Sequence, residues 1–194
     1  MKITVTFNSQ GRMLEGSLFI PDRDHSQQNA ALLFEGSITG ATSQLTEHLA
    51  RALCDEGFVC MILDHSFFGD DEASPQSWES PSKRVEDIKA AMRFLQQQGP
   101  VDAERIVGVG VSVGAEYIAR AIQQTDICRG FVMIEGPFDD AQNFVGHMDI
   151  PSTVIDSQNM ESTVDQTTLW VRTLFGDQMG RSTKESVDWS QMDE

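Results

Sequence analysis

Several things are missing from this sequence. No run of about 18 apolar residues occurs in its 194 residues, so no membrane-spanning helix is expected. The opening Met1-Lys2-Ile3-Thr4-Val5 alternates apolar and polar residues and has no apolar h-region, so it does not read as a signal peptide. Basic residues are scarce. Fourteen Lys and Arg stand against 30 Asp and Glu, a formal net charge of −16. Such a chain repels phosphate backbones and anionic lipid, which argues against nucleic-acid and membrane-surface partners. Only three cysteines occur, Cys54, Cys60 and Cys128, with no CxxC pair. An odd count without such a pair argues against a disulfide framework and a zinc site. Cys60 lies inside the apolar run 58–63 and reads as a buried thiol, with a reducing cytoplasm as the expected compartment. Internal repeats and low-complexity segments are absent, and no metal or cofactor is expected.

What is present is an ordinary globular balance, 40% hydrophobic and 23% charged. The length suits one domain that buries roughly two-thirds of its unfolded surface. Residues 1–175 read as that domain and 176–194 as a polar, acidic tail. Residues 2–7 and 13–20 read as strands joined by the Gly-bearing loop 8–12. Continuous apolar runs at 30–34, 58–63, 106–111, 130–134 and 152–155 read as buried strands. Helical spacing marks 43–56, 82–98, 115–124 and 164–175, and 138–144 has helical potential. Residues 64–81 are a long polar excursion. The alternation predicts an α/β fold: a mostly parallel, doubly wound sheet with helices on both faces, led by an antiparallel hairpin. In such sheets the site lies beyond the carboxyl ends of the strands. That directs attention to Glu35, Asp64, His65, Ser112, Glu135 and the residues from Asp156 onward.

Gly110-Val111-Ser112-Val113-Gly114 is a G-x-S-x-G. By composition the pattern arises in roughly one chain in fifteen of this length, so its context matters more than its letters. It follows the strand at 106–111 and opens the helix at 115–124. Strand, sharp turn and helix are the setting of a nucleophile elbow, in which the serine hydroxyl is lifted above the sheet at a helix N-terminus. The competing reading is a glycine-rich turn with an idle serine.

Beyond this motif the chain resembles the α/β-hydrolase superfamily, its dienelactone-hydrolase-like and small acyl-peptidase-like members in particular. Three blocks carry the resemblance. They are Leu32-Leu33-Phe34-Glu35-Gly36-Ser37, Gly57 to Asp70, and Val85-Glu86-Asp87-Ile88 through Val101-Asp102-Ala103-Glu104-Arg105-Ile106 into the elbow. The resemblance implies Ser112 as nucleophile. It also implies the Val113 amide as one oxyanion donor and the backbone near Ser37 as the other. The acid is expected after the last strand, where Glu161 is the best match, or after the preceding strand, where Glu135 stands. Glu35 replaces a residue that is commonly His in the family. Its plainest reading is a strand-end carboxylate facing solvent. Near an oxyanion hole it would oppose the forming charge unless turned away or protonated.

The family's catalytic His follows one further strand. This chain has His25, His48, His65 and His147, and none later. His65 is the one that the expected topology places at the functional edge. The strand before it is separated from that of Ser112 by the strand ending at Glu35, so a reach of roughly 10 Å has to be closed. Phe67, Phe68, Trp78 and Phe138 stand in or beside loops of the same edge, as an acyl-pocket lining or as core plugs. Three readings follow. One is a serine hydrolase of small esters, lactones or thioesters with a rearranged triad. Another is a pseudo-hydrolase that serves as a binding or scaffolding module. In the third, the base comes from a second copy, since a missing final strand leaves a sheet edge open to pairing and a homodimer.

Overall fold

The computed structural model describes residues 1–22, 28–36, 41–64, 80–135, 140–156 and 159–177, with backbone alone for 41–43 and 64. Among the described residues, seven strands form one sheet in the order β1-β2-β4-β3-β5-β6-β7. They are β1 Lys2–Ser9, β2 Arg12–Phe19, β3 Asn29–Glu35, β4 Val59–Asp64, β5 Val101–Val111, β6 Gly130–Ile134 and β7 Ser152–Ile155. The helices are α1 Ala41–Asp55, α2 Pro81–Gln96, α3 Gly114–Ile122, α4 Ala141–Gly146 and α5 Met160–Leu174. β1 and β2 form the antiparallel hairpin, β2 joins β4 antiparallel, and β4 to β7 are mutually parallel. The expected fold class is therefore the one observed.

The hairpin is tighter than the sequence suggests. Ser9 pairs with Arg12, leaving a two-residue loop. Gln10 and Gly11 both have positive φ, 50° and 83°, the type I′ geometry that matches strand twist. Asp87 of α2 anchors this hairpin. It accepts from Ser9 Oγ at 2.5 Å and from Arg12 Nη2 at 3.2 Å on both oxygens.

Alternation along each strand divides the core in two. Ala31, Leu33, Met61, Phe131 and Met133 face α2 and α3. Leu32, Phe34, Cys60, Val109 and Ile134 face α1 and α5. The parity that sends Ala31 and Leu33 toward α2 sends Glu35 the same way. The connection β3–α1–β4 runs in one direction on one face. The connections through α2, α3 and α4 run in the opposite direction on the other face. All four thus share a hand, as parallel crossovers require. α5 departs from this pattern by returning to the α1 face. A parallel strand placed beyond β7 after α5 would need a crossover of the opposite hand, which is rare.

The helix starts differ from expectation by one to four residues, and two have a visible local cause. α5 begins at Met160 rather than 164, because the Asn159 side chain caps it by accepting from the Ser162 amide at 2.8 Å. α2 begins with Pro81 in its first turn, where a missing N–H costs nothing.

Candidate active site

β5 delivers the chain to Ser112 and α3 leaves from it. Ser112 has φ of 53°, a left-handed conformation that non-glycine residues adopt at a cost of order 1–3 kcal/mol. Two close approaches hold it there. A Cβ on Gly110 would lie 2.3 Å from the Ala115 Cα, and one on Gly114 would lie 2.2 Å from the Glu35 carbonyl oxygen. The obstacles are backbone atoms, so neither position admits a side chain. The Ser112 amide donates to the Ile134 carbonyl at 2.9 Å, and its own carbonyl accepts from the Ala115 amide at 3.0 Å. The turn is thereby fixed on both sides. Ser112 is half-buried and Val113 is exposed, at the N-terminal end of a helix whose amides favour negative charge.

The end of β3 lies against this elbow, and here the structure corrects an expectation. Glu35 does not face solvent; it is 1% exposed. It points to α2, where Arg84 donates from Nε to Glu35 Oε1 at 2.6 Å and forms an ion pair with it through Nη2. The same Nη2 donates to the Gly36 carbonyl at 2.6 Å. The guanidinium lies over the ring of Tyr117, 4.2 Å from its centroid. The carboxylate is turned toward α2 and matched by a cation. Sequence reasoning missed Arg84 and Tyr117. The available signal was parity, because Glu35 falls on the α2 face of β3 and Arg84 lies in the opening turns of α2.

The other named residues separate by position. Glu135 follows β6 directly and is exposed, with φ of 50°. Its predecessor Ile134 accepts the Ser112 amide, so the backbone of Glu135 adjoins the elbow. Glu161, which follows the last strand as expected, is exposed in the first turn of α5, and a carboxylate there is favoured by the helix dipole. His48 is exposed on α1. His147 caps the C-terminal end of α4, with Nδ1 2.6 Å from the Asn143 carbonyl. It precedes the start of β7 and so stands toward the sheet edge opposite Ser112. Ser37, His25, His65, Phe67, Phe68, Trp78 and Phe138 lie outside the described residues. The strand order does place β3 between β4 and β5, the separation expected for His65.

Two other reactive classes stay apart from this edge. Burial pushes the Cys60 thiol well above its ordinary range and the Cys128 thiol up to about 12, so both are inert as nucleophiles at neutral pH. Among the described residues no three His, Cys, Asp or Glu gather in a metal-binding group, and no helix is long and apolar enough to cross a membrane. A groove of about 370 Å³ lined by Gln123, Asp140, Asn143, Phe144, His147 and Met148 lies between α4 and the C-terminal end of α3.

The strand order and the glycine-flanked serine turn define an α/β-hydrolase fold. The chain belongs to the serine aminopeptidase, S33 family (Hydrolase_4), which it matches over residues 28–164. It is 33% identical over 106 residues to the uncharacterized protein YcjY of Escherichia coli (strain K12), a match covering 55% of this chain and 35% of that one. The matched stretch spans about a third of the length of the curated relatives. Among solved structures, XC6422 from Xanthomonas campestris, described as an a/b serine hydrolase without lid, superposes with a TM-score of 0.62 at 15% identity. That likeness covers 90% of this chain and 94% of the other. The dienelactone hydrolase of Anabaena variabilis gives 0.61 at 16% identity, over 88% and 81% of the two chains. At such identities the likeness is one of fold.

Proposed function

We propose that the protein is a serine hydrolase of small acyl compounds, an ester, lactone or thioester, with Ser112 as its nucleophile. The observation that carries this reading is the left-handed Ser112 wedged between two glycines that nothing larger can replace. Strain of this kind concentrates where the fold over-determines a functional side chain. Ser112 Oγ attacks the acyl carbonyl carbon as its proton passes to a base. The tetrahedral oxyanion is held by the Val113 amide and by a second amide from residue 37. Collapse expels the alcohol or thiol, which takes the proton back from the base. Water then repeats the sequence on the acyl-serine.

His65 is the base in this reading; β3 stands between β4, the strand that precedes it, and β5, which leads to Ser112, a separation of about 10 Å between the two strands. Of the two acids, Glu135 is favoured over Glu161 by its backbone adjacency to the elbow and its own positive φ. A panel of p-nitrophenyl esters of short acids tests the reading. Turnover is expected in the native protein, absent in Ser112→Ala and lowered at least 100-fold in His65→Ala. Turnover surviving in Ser112→Ala contradicts it.

The second reading, a binding module on a hydrolase fold, is favoured by α5. That helix occupies the α1 face, where the same-handed series toward a further strand is broken. Such a module binds a small ligand and tolerates Ser112→Ala. A base supplied by a second copy through the β7 edge makes specific activity rise with protein concentration. Dilution across the dimer range separates it from both other arrangements.

A further inference from the structure

The two edges of the sheet are unlike. β7 is four residues long and is led by Pro151. β1, at the other end, is eight residues long, has no proline and pairs with β2 in an unbroken register. Edge strands are normally kept short, bulged or charged, because their open N–H and C=O groups template a further strand. β1 has none of these protections. Among the described residues no strand lies beyond it, and its one charged side chain is Lys2, at its start. We propose that β1 is an interaction surface for a second copy of this chain, whose own β1 adds antiparallel so that one sheet runs through both molecules. The proposal is independent of the catalytic reading. β2, β4 and β3 stand between β1 and β5, so the second copy adds nothing to the Ser112 turn.

The backbone sets the register. Met1 and Ile20 exchange both of their main-chain bonds, at 2.7 and 2.8 Å. Such pairs alternate along an antiparallel ladder. Ile3, Val5, Phe7 and Ser9 therefore bond to β2, while Lys2, Thr4, Thr6 and Asn8 aim their N–H and C=O groups outward. A two-fold axis through Val5 sets Thr4 opposite the partner's Thr6 and Lys2 opposite the partner's Asn8. All outward groups of these four residues are then paired. A slip of two residues leaves some of them open, and a slip of one sets bonded residues against open ones. The side chains suit the same register. Thr4 and Thr6 are exposed and meet as threonine pairs, which stabilise antiparallel strands. On the α2 face Ile3 and Val5 are only partly buried. There Ile3 comes beside the partner's Phe7, and Val5 beside the partner's Val5. Charge agrees as well. Two chains of net charge −16 repel each other, but β1 has no carboxylate, and this register sets no Lys against Lys.

Sedimentation equilibrium from about 1 to 300 µM reads the self-association. Wild type is compared with the double variant Thr4→Lys with Thr6→Lys, which sets like charges opposite each other at both threonine pairs. Both positions are exposed, and a cooperative thermal transition checks that the fold is kept. Expected is a reversible dimer in the wild type, with a dissociation constant raised on the order of 10-fold or more in the variant. Val5→Cys reads the register. The two Val5 Cα atoms stand about 4.5 Å apart in the proposed pairing, within disulfide reach, and the native Cys54, Cys60 and Cys128 are buried. Air oxidation is expected to cross-link Val5→Cys but not Thr4→Cys, whose counterpart lies two residues along the partner strand. A monomer throughout the range overturns the proposal and leaves the edge to a strand of another protein. Unchanged dimer affinity in the folded double variant overturns it in favour of another surface. Equal cross-linking of the two cysteine variants overturns it in favour of random collision.

Discussion

At the scale of the residue, conformation says more than chemistry. Among the described residues, two of the three non-glycine residues with positive φ, Ser112 and Glu135, stand at the carboxyl ends of adjacent strands, and the third closes the hairpin turn. Strain at Ser112 makes a prediction that separates it from an ordinary turn residue. Ser112→Gly relieves the left-handed penalty, whereas Ser112→Ala keeps it. The glycine variant is expected to be about 1 kcal/mol more stable than the alanine variant by urea denaturation, with both inactive. Equal stability would mean that the turn is not strained. The sharp turn at Ser112 was legible in the sequence because its motif is local: five consecutive residues, a strand before and a helix after. Glu35 was read wrongly because its partner lies 49 residues away. A buried carboxylate and an exposed one are written with the same letter, and only the packing of α2 on β3 separates them.

At the scale of the element, strands and helices followed from apolar runs and helical spacing, and the misreadings fell at the ends. The hairpin loop was expected over residues 8–12 but is two residues long, because a Gln-Gly pair in the type I′ conformation lets both strands run on. α5 begins early because Asn159 caps it, and Glu161 therefore belongs to a helix. α2 and the hairpin are joined by Asp87, which is 8% exposed and takes bonds from Ser9 and Arg12. Asp87→Ala leaves the buried Ser9 hydroxyl without its acceptor. A loss of about 2–3 kcal/mol is expected, read as a lowered urea midpoint, while Asp87→Asn keeps the serine bond and loses less. An unchanged midpoint in Asp87→Ala would show that the hairpin is held by its apolar face alone, through contacts such as Phe7 on Phe94, whose ring centroids lie 5.1 Å apart.

At the scale of the whole molecule, the sheet order and the two-faced core place Ser112 at the carboxyl edge, on the shared boundary of β5, β3 and β6. The fold class was legible because alternating apolar strands and amphipathic helices admit few topologies once crossovers must share a hand. The placement of α5 was not legible, because a helix announces an apolar stripe but not which face of the sheet receives it. The four-residue edge strand β7, led by Pro151, is short, as protected sheet edges tend to be, so a dimer across it needs contacts beyond the ladder. The central claim concerns whether the serine is activated, and covalent capture addresses it without a known substrate. The measurement is intact mass after exposure to a fluorophosphonate probe, with Ser112→Ala as control. One adduct per chain on the native protein and none on the variant is the expected result. An unlabelled native protein after hours of exposure, or equal labelling of the variant, would contradict the claim.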